Sequence, residues 1–85
     1  MAVYVDDAGI WWRGKRRYHM SADGLSELHE FARELGVTIL WFDGVERHPH
    51  YDITAEQRQK AIAHGAVAVG KREMVVIARR IRRDE

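Results

Sequence analysis

The chain has no cysteine, a single proline and no apolar run near the ~20 residues that cross a bilayer. Without cysteine there are no disulfides and no thiolate-zinc sites, so any metal must be held by histidine and carboxylate. The first residues lack the basic-then-apolar order of a signal peptide. No membrane association is expected, and a cytoplasmic setting is. With 46% apolar and 32% charged residues the composition is that of an ordinary globular protein, which argues against disorder. Eighty-five residues are expected to form one domain over residues 1–85. At that size a dimer, metal or ligand helps stability appreciably.

The net charge of +1 hides an uneven distribution. Arg13, Lys15, Arg16 and Arg17 form one acid-free basic run, and Arg79, Arg80, Arg82 and Arg83 form another. Together they hold eight of the fourteen cations, leaving six against thirteen acids elsewhere. Two positive patches on an acidic body suit a phosphate-bearing partner. The second run is also explained as the solvated end of a helix.

Alternating β-branched residues predict a strand over 2–6. Residues 8–22 show no clean period and read as a long connection of the functional or mobile kind. Leu25, Leu28, Phe31, Ala32 and Leu35 share one helical stripe, with Ser21 or Asp23 as cap and Gly36 as the stop. The apolar, β-rich run 37–42 predicts a central strand covered on both faces. After a polar loop, Thr54-Ala-Glu-Gln57 is a capping-box pattern that opens a helix to His64. A short strand over 66–69 and a helix from Lys71 to about residue 82, with Met74, Val75, Ile77, Ala78 and Ile81 on one stripe, complete the order β-α-β-α-β-α. The expected fold is α/β, a small three-layer domain with a three-stranded, mainly parallel sheet.

In such a sheet ligands bind beyond the carboxyl ends of the strands. Asp6 and Asp7, the segment His48 to Asp52, and Arg72-Glu73 all fall there. His50 and Asp52 offer either metal ligands or a general base with its orienting acid, with Asp6, Asp7 and His48 as further metal ligands. The plainer reading is that Asp52 braces the next helix and His50 bonds a carbonyl. Arg72, in the first turn of the last helix, can clamp an anion through its planar fork. Glu73 is more simply a capping acid, and His64 a favourable charge at a helix C-terminus. Trp12, Arg13 and Arg17, with Trp11 beside them, combine stacking surfaces with cations, the chemistry that holds bases and phosphates. The same tryptophans could close the core or bury a dimer contact.

The residues His19-Met-Ser-Ala-Asp23, Glu27-Leu-His29-Glu-Phe-Ala32, Gly36, Phe42-Asp43, His50-Tyr-Asp52, Gly65-Ala66 and Arg72-Glu73 together resemble a small domain-of-unknown-function family of actinobacteria and their phages. The resemblance covers nearly the whole chain. It implies that His19, Asp23, His29, His50, Tyr51, Asp52, Arg72 and Glu73 belong to the family pattern. It also implies a bacterial or phage-infected host cytoplasm. Many relatives carry Asp-Pro-Pro-like residues where this chain has Asp6-Asp7, and the Trp11 to Arg17 segment is peculiar to it.

The leading expectation is a protein that binds a phosphate-bearing ligand, a nucleotide or nucleic-acid end, at the carboxyl edge of the sheet. In its sharper form it is a small metal-dependent phosphodiesterase or nuclease. His50, Asp52 and His19 would carry the catalysis, with His19 as proton donor, and Arg72, Tyr51, Trp12, Arg13 and Arg17 would bind the ligand. A divalent ion is the expected cofactor in that form. The alternative is a non-catalytic phage or bacterial protein that captures a nucleotide signal or a protein partner, or a scaffold that works as a homodimer. No carboxylate cluster in the sequence is as dense as a two-metal site requires, which leaves enzyme and binder both open.

Overall fold

The computed structural model describes residues 2–44 and 48–84. In chain order the elements are β1 (Val3–Val5), β2 (Ile10–Trp12), β3 (Lys15–Ala22), α1 (Leu25–Leu35), β4 (Phe42–Asp43), β5 (His50–Thr54), α2 (Ala55–Ala63), β6 (Val67–Ala68) and α3 (Lys71–Arg79). The sheet runs β4-β5-β3-β1-β6, with β2 also on β3. Among the described strands, the β1–β6 pairing alone is parallel. A mixed, mostly antiparallel sheet of six strands therefore replaces the expected three-stranded parallel one.

Besides the strand β5, which lies where a polar loop was expected, two misreadings account for the difference. Residues 8–22 are not a connection: they hold β2, a tight turn and β3, the longest strand of the molecule. The turn places Arg13 and Gly14 at φ 50 and 78, the left-handed pair that lets a two-residue hairpin match strand twist. Arginine is an unusual first residue for that turn, so the sequence carries only half of its signature. The burial of β3 also changes along its length. Lys15 and Arg16 are exposed, whereas Met20, Ser21 and Ala22 are all buried, and no single period survives. The second misreading concerns 37–42. Ile39 and Leu40 are exposed in a single 3-10 turn, and only Phe42 and Asp43 pair, at the sheet edge.

β1 and β2 lie in succession along one edge of β3. Val5 pairs with Met20 and Ile10 with Arg17, so four residues, 6–9, stand opposite two, 18–19. That bulge begins at Asp6, which is buried there. Bulges commonly re-aim side chains beside functional sites.

Strand alternation then divides the sheet into two faces. Tyr18, Met20, Tyr51 and Ile53 join Val3, Val5, Leu25, Leu28, Ala32 and Leu35 in the main core, under α1 and α2. His19, His50 and Asp52 occupy the opposite face. His19 and Asp52 are direct cross-strand partners. α3 packs against β3 and buries Met74 and Ala78 apart from the main core. Helix α1 begins at Gly24 with no side-chain cap. Asp23 instead accepts from the Ala2 N–H and the Tyr4 hydroxyl, and Ser21 donates to the Pro49 carbonyl. The capping box on α2 forms as the pattern anticipates.

These assignments predict opposite outcomes at two aliphatic positions. Ile53→Ala, fully buried, should lose about 2–5 kcal/mol in urea unfolding, whereas Leu40→Ser should change stability by less than about 0.5 kcal/mol. A Leu40 loss as large as that of Ile53 would restore the central-strand reading of 37–42.

Candidate metal centre

The site is assembled from Asp6 outward. Its carboxylate is 1% exposed and accepts from every side it meets. One oxygen takes the backbone N–H groups of His19 at 2.8 Å and Ala8 at 3.2 Å, and the other lies 2.6 Å from His19 Nδ1. The Asp6 carbonyl accepts from Arg58 Nε. Burial pushes the carboxyl's pKa upward, but the bonds from the His19 ring, the His19 backbone and Ala8, with the His19 charge, outweigh it and hold the pKa below the ordinary value. Asp6 is therefore ionised, and His19 Nδ1 carries the proton between them.

The ring of His50 is fixed in the same sense by a different acceptor. Its Nδ1 bonds to the His48 carbonyl, which can only accept, so this nitrogen also carries a proton. In each neutral ring the Nε2 lone pair is then free. Both Nε2 atoms lie near one carboxylate oxygen, Asp52 Oδ1, at 3.9 Å from His19 and 3.5 Å from His50. The two imidazoles meet edge to face, 4.8 Å between centroids.

Two nitrogens and one oxygen thus lie within 4.8 Å of one another, half-buried and open to solvent, the only such group among the described residues. Two lone pairs and an anion facing each other need a proton or a cation between them. The pKa of His50 reflects this. Burial lowers it, but the bond to Asp52, the His48 carbonyl and the charges of Asp52 and Asp43 raise it above the ordinary histidine value overall. Donor atoms at ~2.0–2.1 Å from a tetrahedral zinc are roughly 3.4 Å apart, so the 3.5 and 3.9 Å pairs are close to that spacing, while the group as a whole, spread over up to 4.8 Å, has to close around an ion. Backing of each ligating imidazole by a carboxylate or a carbonyl at its other nitrogen is the usual outer shell of a metal-bound histidine.

Other candidates fall elsewhere. Asp6 supports His19 from behind, its oxygens already engaged. Asp7 is exposed. His48 contributes its carbonyl, while its ring Nε2 takes a bond from Arg79 Nε at 2.9 Å. The buried Tyr51 points into the core and bonds His29 Nδ1 at 2.7 Å, on the face away from the cluster. Glu73 accepts from the Gly70 N–H, and His64 Nδ1 bonds the Lys60 carbonyl, both helix-end roles. Lys71 and Arg72 stand with His19 and His50 in the walls of a cleft of about 380 Å³. Trp12 and Arg13 line a second cleft with Asp52, of about 460 Å³. Arg17 lies over the Trp41 ring at 4.4 Å and donates to the Trp12 carbonyl. Sequence reasoning passed over Lys71, Asp43 and Trp41. It also placed His50-Tyr51-Asp52 in a loop, although polar-apolar-polar alternation is itself a strand signal.

The chain is thus a small mixed α/β domain with a two-histidine, one-carboxylate cluster on the sheet face opposite its core. It belongs to the family described as Protein of unknown function (DUF4031), whose model matches residues 3–81. No curated protein and no solved structure matches it. Among the described residues no helix is long and apolar enough to cross a membrane.

Because the folded state lowers the pKa of Asp6, the stability this carboxylate contributes is complete above its unfolded value, about pH 4. It is lost as pH falls through the folded value. In chelator-treated protein, Asp6→Asn should cost about 1–3 kcal/mol at neutral pH, and its urea stability should converge with the parent protein's in acid. Stability curves that stay parallel from neutral pH to pH 3 would remove Asp6 from this role.

Proposed function

We propose that His19, His50 and Asp52 hold one divalent transition-metal ion, and that the protein uses it on a phosphate-bearing ligand as a small metal-dependent phosphodiesterase. The observation that carries the reading is the convergence of three ligand atoms within 4.8 Å, with both imidazole Nδ1 atoms already tied to acceptors. Two imidazoles and a carboxylate suit zinc, manganese or iron, and three protein ligands leave positions open for water and substrate.

The chemistry asks little more of the chain. Held by His19, His50 and Asp52, an ion would lower the pKa of a bound water toward about 7 and polarise a phosphoryl oxygen. Hydrolysis would join the oxygen of that water to phosphorus as the ester P–O bond breaks, with the departing oxygen taking a proton from solvent. Lys71 and Arg72, across the cleft, offset the charge that builds on phosphate. His19 would serve as ligand in this scheme rather than as proton donor, because its Nε2 lies beside Asp52 Oδ1, where the ligand atoms converge.

A single ion also suits capture without turnover. A non-catalytic protein that binds a nucleotide signal, in the cytoplasm of a bacterium or a phage-infected host, would use the same ligands and cations. Turnover separates the two.

Calorimetric titration with zinc or manganese should give one site per chain, lost in His50→Ala and Asp52→Ala. At free metal a hundredfold above Kd the folded state should gain about 2.7 kcal/mol. Asp6→Asn, which presents an amide N–H to His19 Nδ1 and moves the ring proton to Nε2, should weaken the metal roughly 10- to 100-fold. Hydrolysis of bis(4-nitrophenyl) phosphate that requires the metal supports the enzyme, and metal binding without hydrolysis supports capture. No metal binding at all would end the phosphodiesterase and leave only capture that needs no metal.

A further inference from the structure

Three clefts meet at the cluster. The Trp12–Trp41 cleft shares Trp12 and Asp52 with a smaller one of about 190 Å³, and that one shares Ile10 and His19 with the cleft holding Lys71 and Arg72. The shared walls make one groove with His19 and Asp52 in its middle. Its two ends differ in chemistry.

One end carries Lys71 and Arg72 beside apolar wall from α3. The other offers the rings of Trp12 and Trp41 together with two carboxylates, Asp43 and Asp52. Trp12 leaves half its surface in water, and Leu40 beside it is 87% exposed. Arginines accompany the aromatics: Arg13 lies 5.4 Å from the Trp12 ring centroid and Arg17 lies 4.4 Å from that of Trp41. Aromatic faces interleaved with guanidinium groups are the surfaces on which unpaired bases stack. The two carboxylates oppose a phosphate at this end, but Asp43 can accept from a base's exocyclic amino group. Phosphate is favoured at the cationic end and base at the aromatic end.

We propose that the Trp12–Trp41 cleft is a site for an unpaired nucleobase, which makes the ligand a single-stranded nucleic acid laid along the groove with a backbone phosphate at the His19–His50–Asp52 cluster. The phosphate's position rests on the metal reading above; the base site stands without a metal. Duplex is excluded because its bases are stacked inside and cannot enter the cleft.

Anisotropy of a labelled single strand of roughly six nucleotides, with tryptophan quenching as a second readout, tests this in chelator and again with zinc. The single strand should bind and quench in chelator, bind more tightly with zinc, and outcompete a blunt duplex of the same sequence. Trp12→Ala should weaken it roughly 10- to 100-fold, with Trp12→Phe restoring part of the loss. Equal affinity for duplex, no effect of Trp12→Ala, or no binding in either buffer would overturn the proposal. So would Trp12 becoming shielded by self-association without nucleic acid. Calorimetric metal binding that persists while the single strand fails condemns the base site alone. Single-strand binding without any metal uptake condemns the metal centre alone.

Discussion

A carboxylate held out of water must be met by donors on every lone pair it presents, and Asp6 is in that position. Its burial obliges the chain to supply the His19 and Ala8 backbone N–H groups and the His19 imidazole at one point. Satisfying it pins the bulge between β1 and β2 against β3. The same contact decides which nitrogen of His19 carries the proton. Stability and chemistry meet in a single residue: the carboxylate that anchors the bulge also leaves His19 Nε2 bare toward Asp52.

The rest of the site follows from the twofold period of strands. In β5 the residues Tyr51 and Ile53 enter the core, which forces His50 and Asp52 to the other face. In β3 Met20 does the same for His19. Antiparallel register sets His19 opposite Asp52, and His50 lies two residues along on the same side. Three polar side chains converge because their neighbours are apolar and buried, and the backbone spacing of the sheet sets their separation. Placement on strands rather than loops gives the cluster a rigid base, as a metal or catalytic site requires.

How much of this could be read from the residues depends on where the physics is local. Helices α1 and α2 are legible because stripes such as Leu25, Leu28, Ala32 and Leu35, and the Thr54 to Gln57 capping box, lie within a few residues, whereas α3 is legible only in part: it ends at Arg79 rather than near residue 82, and Val75 of its expected stripe is exposed. β3 is not legible, since its burial is set by the distant β1 and β5. Its hairpin is obscured by Arg13 in a left-handed conformation that Asn or Asp more often signals. The run 37–42 misleads in the other direction: Ile39 and Leu40 look like core and lie in water. Asp6, His19, His50 and Asp52 attract attention in the sequence by type and position. Which of them converge and which stands behind does not emerge there, because that division depends on a register that spans the chain.

The electrostatics of the cluster give the account its central claim: two imidazole lone pairs and one carboxylate share a space that only a positive charge relieves. Anomalous diffraction from crystals soaked in zinc tests it most directly. The account predicts one strong peak bounded by His19 Nε2, His50 Nε2 and an Asp52 oxygen, with Asp6 still bonded to His19 Nδ1. A zinc bound instead through Asp6, Asp7 or the His48 ring, or no peak at the cluster at saturating zinc, would contradict it.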